Sequence, residues 1–218
     1  MEKQSEKFTN DENFFISAVH QEMFNRIFPT IRHDLVGYLS ASLMRVSIME
    51  RYLNKPEVVI EQLKAELLKI ESQLKSSISG IRALAFWDFQ SIHDDYPSEI
   101  LKRGVELMST QLAMNSIQLS LVPPEFQDIE KVKTKPLLYC LLCILSYIED
   151  NNFESKNLTI RQIRKSIAIS FEPKIALSTT NFKKIRNLII NQDLAVNFAK
   201  FHDININFSD EEIKLSWN

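Results

Sequence analysis

Ile31-Arg32-His33-Asp34-Leu35-Val36-Gly37-Tyr38-Leu39 sets a histidine-acid-leucine run inside an amphipathic helix pattern. Phe24, Ile27, Phe28, Ile31, Leu35, Leu39, Val46, Met49 and Leu53 recur at helical steps and define one apolar stripe. At 100° per residue, His33 lies roughly 160° from both Ile31 and Leu35. It is therefore expected to face water, with Arg26, Thr30, Val36, Gly37 and Ser40 around it. An exposed imidazole with a glycine one turn on is open to a large partner. Taken alone, the run also fits a solvated histidine on an ordinary helix, so the order of elements after it decides the reading.

The chain has 218 residues, enough for one large domain or two small ones. A hydrophobic content of 44% with 25% charged residues is that of an ordinary globular protein. The net charge of −2 gives no nucleic-acid footprint. No apolar run is long enough for a membrane span, and the polar first twelve residues do not resemble a signal sequence, so a cytoplasmic location is expected. With three glycines in all, the chain has no means to build a glycine-rich phosphate loop. Cys140 and Cys143 sit in an apolar run with no second Cys/His pair at zinc spacing. Buried free thiols are the better reading, and no metal site is expected.

A first helix is expected from about Glu12 to Leu53, with Pro29 as a kink or break. Asn54-Lys55-Pro56 marks a turn. A second helix follows from about Glu57, with Leu63, Leu67, Ile70, Leu74, Ile78, Ile81 and Ala85 close to a coiled-coil seam. Two long helices joined by a short turn pack antiparallel. One such hairpin leaves an apolar face uncovered, so a homodimeric four-helix bundle is the economical solution. Phe86, Trp87 and Phe89 add an apolar load at its end. His93-Asp94-Asp95 reads as a solvated linker before a helix at Pro97 or Ser98.

From there the texture changes. A helix over 99–115 precedes an alternating strand over 117–122, stopped by Pro123-Pro124. An apolar helix over 136–149 follows, then strands at 158–160 and 166–171. Helices over 182–190 and 193–202 come next, and strands at 204–208 and 212–217 close the chain as a hairpin. The fold class is α+β, with residues 1–95 as the hairpin domain and 96–218 as an α/β sandwich. His20 and His202 fall near apolar neighbours and read as partly exposed structural residues.

This order of elements resembles the dimerisation and ATP-binding domains of sensor histidine kinases, over roughly residues 14 to 217. His33-Asp34-Leu35 is similar to the family's phosphoacceptor segment. The apolar helix after the first strand carries two asparagines in that family, the first holding magnesium on ATP. Aligned on Leu137 to Glu149, those positions fall on Cys143 and Tyr147. A thiol is a poor ligand for that hard ion. The adenine-binding Asp-x-Gly-x-Gly is replaced by Phe171-Glu-Pro-Lys-Ile-Ala-Leu, and Gln192-Asp-Leu-Ala-Val-Asn stands where the family places its lid glycines.

Scaffold pattern without nucleotide signatures resembles the histidine phosphotransferases built like kinases: a dimeric hairpin that keeps its histidine, and a degenerate ATP-binding domain. The resemblance implies a phosphorelay role. His33 would exchange phosphoryl groups with receiver-domain aspartates of response regulators, and Asp34 would orient the ring or take its proton. No cofactor of its own is implied, because the receiver supplies magnesium. Arg26, Thr30, Arg32, Gly37 and Ser40 would form the surface met by the receiver, and a sensor histidine kinase is a further partner. Tyr38 stands where the kinases usually have proline. Gly37 lacks the side chain that positions water for phosphatase action, so little phosphatase activity is expected. The alternative is a non-catalytic, pseudokinase-like adaptor that binds and regulates a histidine kinase or response regulator, with His33 incidental. An active kinase with unusual motifs, and an unrelated helical dimer, are the remaining readings.

Overall fold

The computed structural model describes residues 9–57, 59–84, 94–124, 130–151, 157–172 and 190–218. The expected helix over 182–190, the aromatic load at Phe86, Trp87 and Phe89, and residues 173–177 of the altered adenine motif lie outside them, apart from Ile190.

Helix α1 (Asn10–Leu53) has 44 residues and is therefore about 66 Å long. It starts on a capping box: Glu12 N donates to Thr9 Oγ1 at 3.3 Å, and Thr9 N donates to Glu12 Oε2 at 2.6 Å. Pro29 does not break it. Helix α2 (Ile60–Leu84) returns after a turn at 54–57. By packing, the chain divides into Ile27–Ser91 and a second unit made of Met1–Arg26 with Ile92–Asn218. The opening of α1, grouped with the hairpin in the sequence, thus packs with the C-terminal segment. Its apolar residues Ile16, Val19 and Met23 are buried there.

In the hairpin unit, α1 and α2 are joined by polar ties as well as apolar contacts. Ser42 Oγ lies 3.1 Å from Gln73 Oε1, and Arg45 pairs with Glu66 at 2.8 Å. Gly80 of α2 lets Leu35 approach, since a Cβ there would sit 3.1 Å from Leu35 Cδ2.

The other unit begins with β1 (Asp94–Asp95), which pairs antiparallel with β3 (Val132–Lys133). Asp94 and Asp95 are therefore part of a small ladder rather than a solvated linker. Helix α3 (Pro97–Met114) has proline in its first turn, where the missing N–H costs nothing. It is followed by β2 (Gln118–Leu121), α4 (Thr134–Asp150), β4 (Asn157–Gln162), β5 (Ser166–Glu172), α5 (Gln192–Lys200), β6 (Ile204–Phe208) and β7 (Glu212–Trp217). The five-stranded sheet has the order β2-β4-β5-β7-β6. Among the described strands, only β2 and β4 pair in parallel, as a helical crossover demands.

Register builds one apolar face. Leu121, Ile160, Ile169, Ile213 and Phe208 form a row across all five strands. Thr159, Ser170 and Glu212 alternate with it on the opposite face. Helix α4 is apolar nearly all round, and 13 of its 17 residues are buried. Gly104 admits the close approach of α3, because a Cβ there would clash with Leu141 and sit 3.2 Å from Leu138.

Candidate functional site

His33 is where the periodicity places it. Its side chain is 72% exposed on α1, and Nδ1 lies 3.3 Å from Asp34 Oδ1. With the proton on Nδ1 and directed at that carboxylate, Nε2 carries the lone pair. Nε2 has no hydrogen-bond partner among the described residues. Asp34 is about one-quarter exposed, so the pair presents one nitrogen outward and holds the other.

The surroundings are small. Gly37 is exposed, and a Cβ there would meet nothing within 4 Å. Packing within the chain therefore gives no reason for glycine, although it weakens a helix by about 1 kcal/mol relative to alanine. Arg32 and Ser40 are exposed, and Thr30 is half-buried.

Arg26 departs from expectation. It shares His33's helical phase two turns earlier, but its side chain is only 2% exposed. Its guanidinium makes a fork on Asp150, with Nη1 and Nη2 each 2.8 Å from one carboxylate oxygen, while Nε donates to Glu22 at 2.7 Å. Burial opposes its charge, and the two carboxylates outweigh that and hold its pKa above the usual value. Arg26 therefore belongs to the packing of the C-terminal unit and is no part of the surface around His33.

The hairpin also leaves apolar side chains uncovered beyond the site. On α1, Val36, Leu39, Leu43, Val46 and Leu53 are exposed. On α2, Ile60, Leu67, Leu74 and Ile81 recur every seven residues and are all exposed, with Ile78 beside them. That is the heptad spacing of a helix-pairing seam.

The two α4 positions singled out in the sequence, Cys143 and Tyr147, are both engaged in packing. Cys143 is fully buried, and burial pushes its thiol up to about 12 despite the pull of Arg26. Neutral and soft, it offers nothing to magnesium. Tyr147 is engaged elsewhere: its hydroxyl accepts from Gln192 Nε2 at 2.9 Å, and its ring lies edge-on to Phe208. Cys140 is also buried and free, as the sequence indicates.

Among the described residues, no group of three or more His, Cys, Asp or Glu could hold a metal, and no helix is long and apolar enough to cross a membrane. The covering of α4 by the start of α1 was not anticipated from the sequence. The only available signal was the apolar step Ile16, Val19, Met23, which continues the helical stripe upstream of Phe24.

No family model and no curated protein matches the chain. Solved structures do. The chain is similar to the Acinetobacter baumannii histidine kinase AdeS, at 11% identity over 85% of this chain and 98% of that one, with a TM-score of 0.41. It is similar to a bacterial phosphotransferase, at 10% identity over 90% and 95%, with a TM-score of 0.47. A third is the histidine kinase ThkA, solved in complex with the response regulator TrrA, at 11% identity over 99% and 67%, with a TM-score of 0.38.

Proposed function

We propose that this chain is a histidine phosphotransfer protein that exchanges phosphoryl groups between His33 and receiver-domain aspartates without using ATP. The observation that carries this reading is the exposure of His33 with Nδ1 against Asp34 and an open surface at Gly37. Nε2 attacks the phosphorus of a receiver aspartyl phosphate. The N–P bond forms as the P–O bond to the aspartate breaks, and the carboxylate leaves with the electron pair. Asp34 takes up the charge that develops on the ring by accepting the Nδ1 proton. A magnesium ion, where the receiver holds one, would supply charge neutralisation on the receiver's side of the reaction. Transfer to a second receiver runs the same steps in reverse.

The exposed heptad on α2 and the neighbouring stripe on α1 support a homodimer, in which two hairpins bury these faces as a four-helix bundle. Arg32, Thr30, Gly37 and Ser40 form the surface that a receiver would meet.

The test is phosphoryl transfer from a panel of phosphorylated receiver domains with magnesium, on the wild type beside His33→Gln. An acid-labile, base-stable label on the wild type alone is expected. A folded dimer that takes no label from any donor, yet binds a receiver or a histidine kinase, would instead support the adaptor reading.

A further inference from the structure

The start of α1 lies along one face of α4 in a defined register. His20 stacks on Tyr139 with ring centroids 3.9 Å apart. Ser146 Oγ donates to Met23 Sδ at 3.6 Å. Arg26 closes the series on Asp150. Residue numbers rise together on both helices, so the two run in parallel. At 100° per residue, Tyr139, Cys143, Ser146 and Asp150 fall within roughly 60° of one another on α4. The covered face is therefore the one that carries Cys143.

We propose that residues Ile16–Arg26 are the resident ligand of the C-terminal unit, a helix seated on the α4 face where the kinase pattern puts the first magnesium-binding side chain, closing that face to nucleotide. The inference uses the kinase-like alignment of α4 but does not depend on His33.

Three further observations carry it. Ile16, Val19 and Met23 are buried, so the segment is seated by its apolar side. Phe15 and His20 also touch the far side of the groove, at Phe201 and Phe198 around the end of α5. Asp150 Oδ2 accepts from Ile190 N at 2.9 Å while holding Arg26, so one carboxylate fixes both the segment and the chain entering α5. A cation supplied by the chain itself thus satisfies the acidic end of the face. The unit that resembles a nucleotide-binding domain is, on this account, a helix-binding one whose ligand belongs to the same chain.

Cys143 reports on the cover. In the full chain carrying Cys140→Ala, its native-state labelling by a maleimide is compared with and without Met23→Asp. Labelling at least tenfold faster in Met23→Asp is expected, with the near-ultraviolet circular dichroism of the C-terminal unit retained. Equal rates would overturn the proposal. Should Met23→Asp fail to fold, a second variant keeps the question open to refutation. Met23→Cys with Ser146→Cys, in a chain freed of both native thiols by Cys140→Ala and Cys143→Ala, is treated with a mild copper oxidant. A bridge at monomer mobility on a non-reducing gel is expected. No bridge, or one formed only between chains, would overturn the proposal. So would saturable binding of a fluorescent ATP analogue with magnesium to the wild type. None of these readouts involves His33, so failed phosphotransfer and a failed plug are separate results.

Discussion

Helices α4 and α2 are both rich in leucine and isoleucine, and they end in opposite situations. The sheet side, α3 and the start of α1 enclose α4, and every residue from Leu137 to Ile148 is buried. Helix α2 has one covered edge, at Glu66, Ser77 and Gly80, while Ile60, Leu67, Leu74 and Ile81 remain in solvent. The C-terminal unit finishes its core within one chain, and the hairpin does not. Sequence hydrophobicity measures only the need for cover. Topology decides whether the chain meets that need itself or leaves it to a partner.

The sharpest way to break this contrast is to remove the same group from both helices. Leu142→Ala, at a fully buried site in α4, is expected to cost about 2–5 kcal/mol, read as a lower urea midpoint for the C-terminal unit. Leu67→Ala in α2 is expected to leave that midpoint unchanged and to weaken self-association at least tenfold. In the proposed dimer two leucine faces would be lost, each worth about 1.5–3 kcal/mol when buried, and sedimentation over a concentration series would measure the effect.

The two glycines sharpen the contrast with a change of sign. Gly104→Ala forces a methyl into Leu141 and Leu138 and is expected to destabilise by about 1–3 kcal/mol. Gly37→Ala meets nothing and is expected to stabilise α1 by up to about 1 kcal/mol. If the receiver approaches over Gly37, the same variant slows phosphotransfer while raising the melting temperature.

The smallest effects are those of pH, and they also separate the units. Burial, with help from His202 and Lys135, depresses the His20 pKa to about 4, so the folded chain holds this imidazole neutral. That stability is fully present above the ordinary histidine value near 6.5 and drains away as pH falls from there through 4. His202, facing Lys133 and Asp203, is depressed by burial in the same direction. Protection of the amides over residues 16–26, taken relative to the intrinsic exchange rate at each pH, should therefore fall between pH 6.5 and 4, and that dependence should weaken in His20→Phe. In the hairpin, Lys69 and then Arg45 hold the Glu66 carboxyl below its usual value. Its contribution persists above the ordinary glutamate range and fades only as pH falls through and below it, so the hairpin should outlast the α1–α4 contact on acidification.

The element order was legible because the apolar steps change period cleanly. Ile117 to Val122 alternates, Pro136 to Ile148 is apolar apart from Ser146, and the closing strands flank a polar turn at Ser209-Asp210-Glu211. The exposure of His33 was legible for the same reason, since helical phase fixes which side chains oppose Ile31 and Leu35. What phase leaves open is what covers a face. Arg26 and His33 share a phase, and only the meeting of residue 26 with residue 150 separates them into a buried ion pair and an exposed imidazole. The capping box at Thr9 and Glu12 sets the helix start just ahead of the Glu12 expected from the sequence. The β1–β3 ladder had no such mark, being two residues long on each side and built from Asp94, Asp95, Val132 and Lys133.

The bond from Arg26 to Asp150 spans 124 residues of sequence. At a synthesis rate of about 5–20 residues per second, the start of α1 waits roughly 6–25 seconds on the ribosome for α4 to be made. The hairpin's local contacts form long before that. For that interval Ile16, Val19 and Met23 extend an already apolar helix with nothing to bind. The nascent chain then shows chaperones, and neighbouring copies of itself, an apolar segment that is buried once folding is complete.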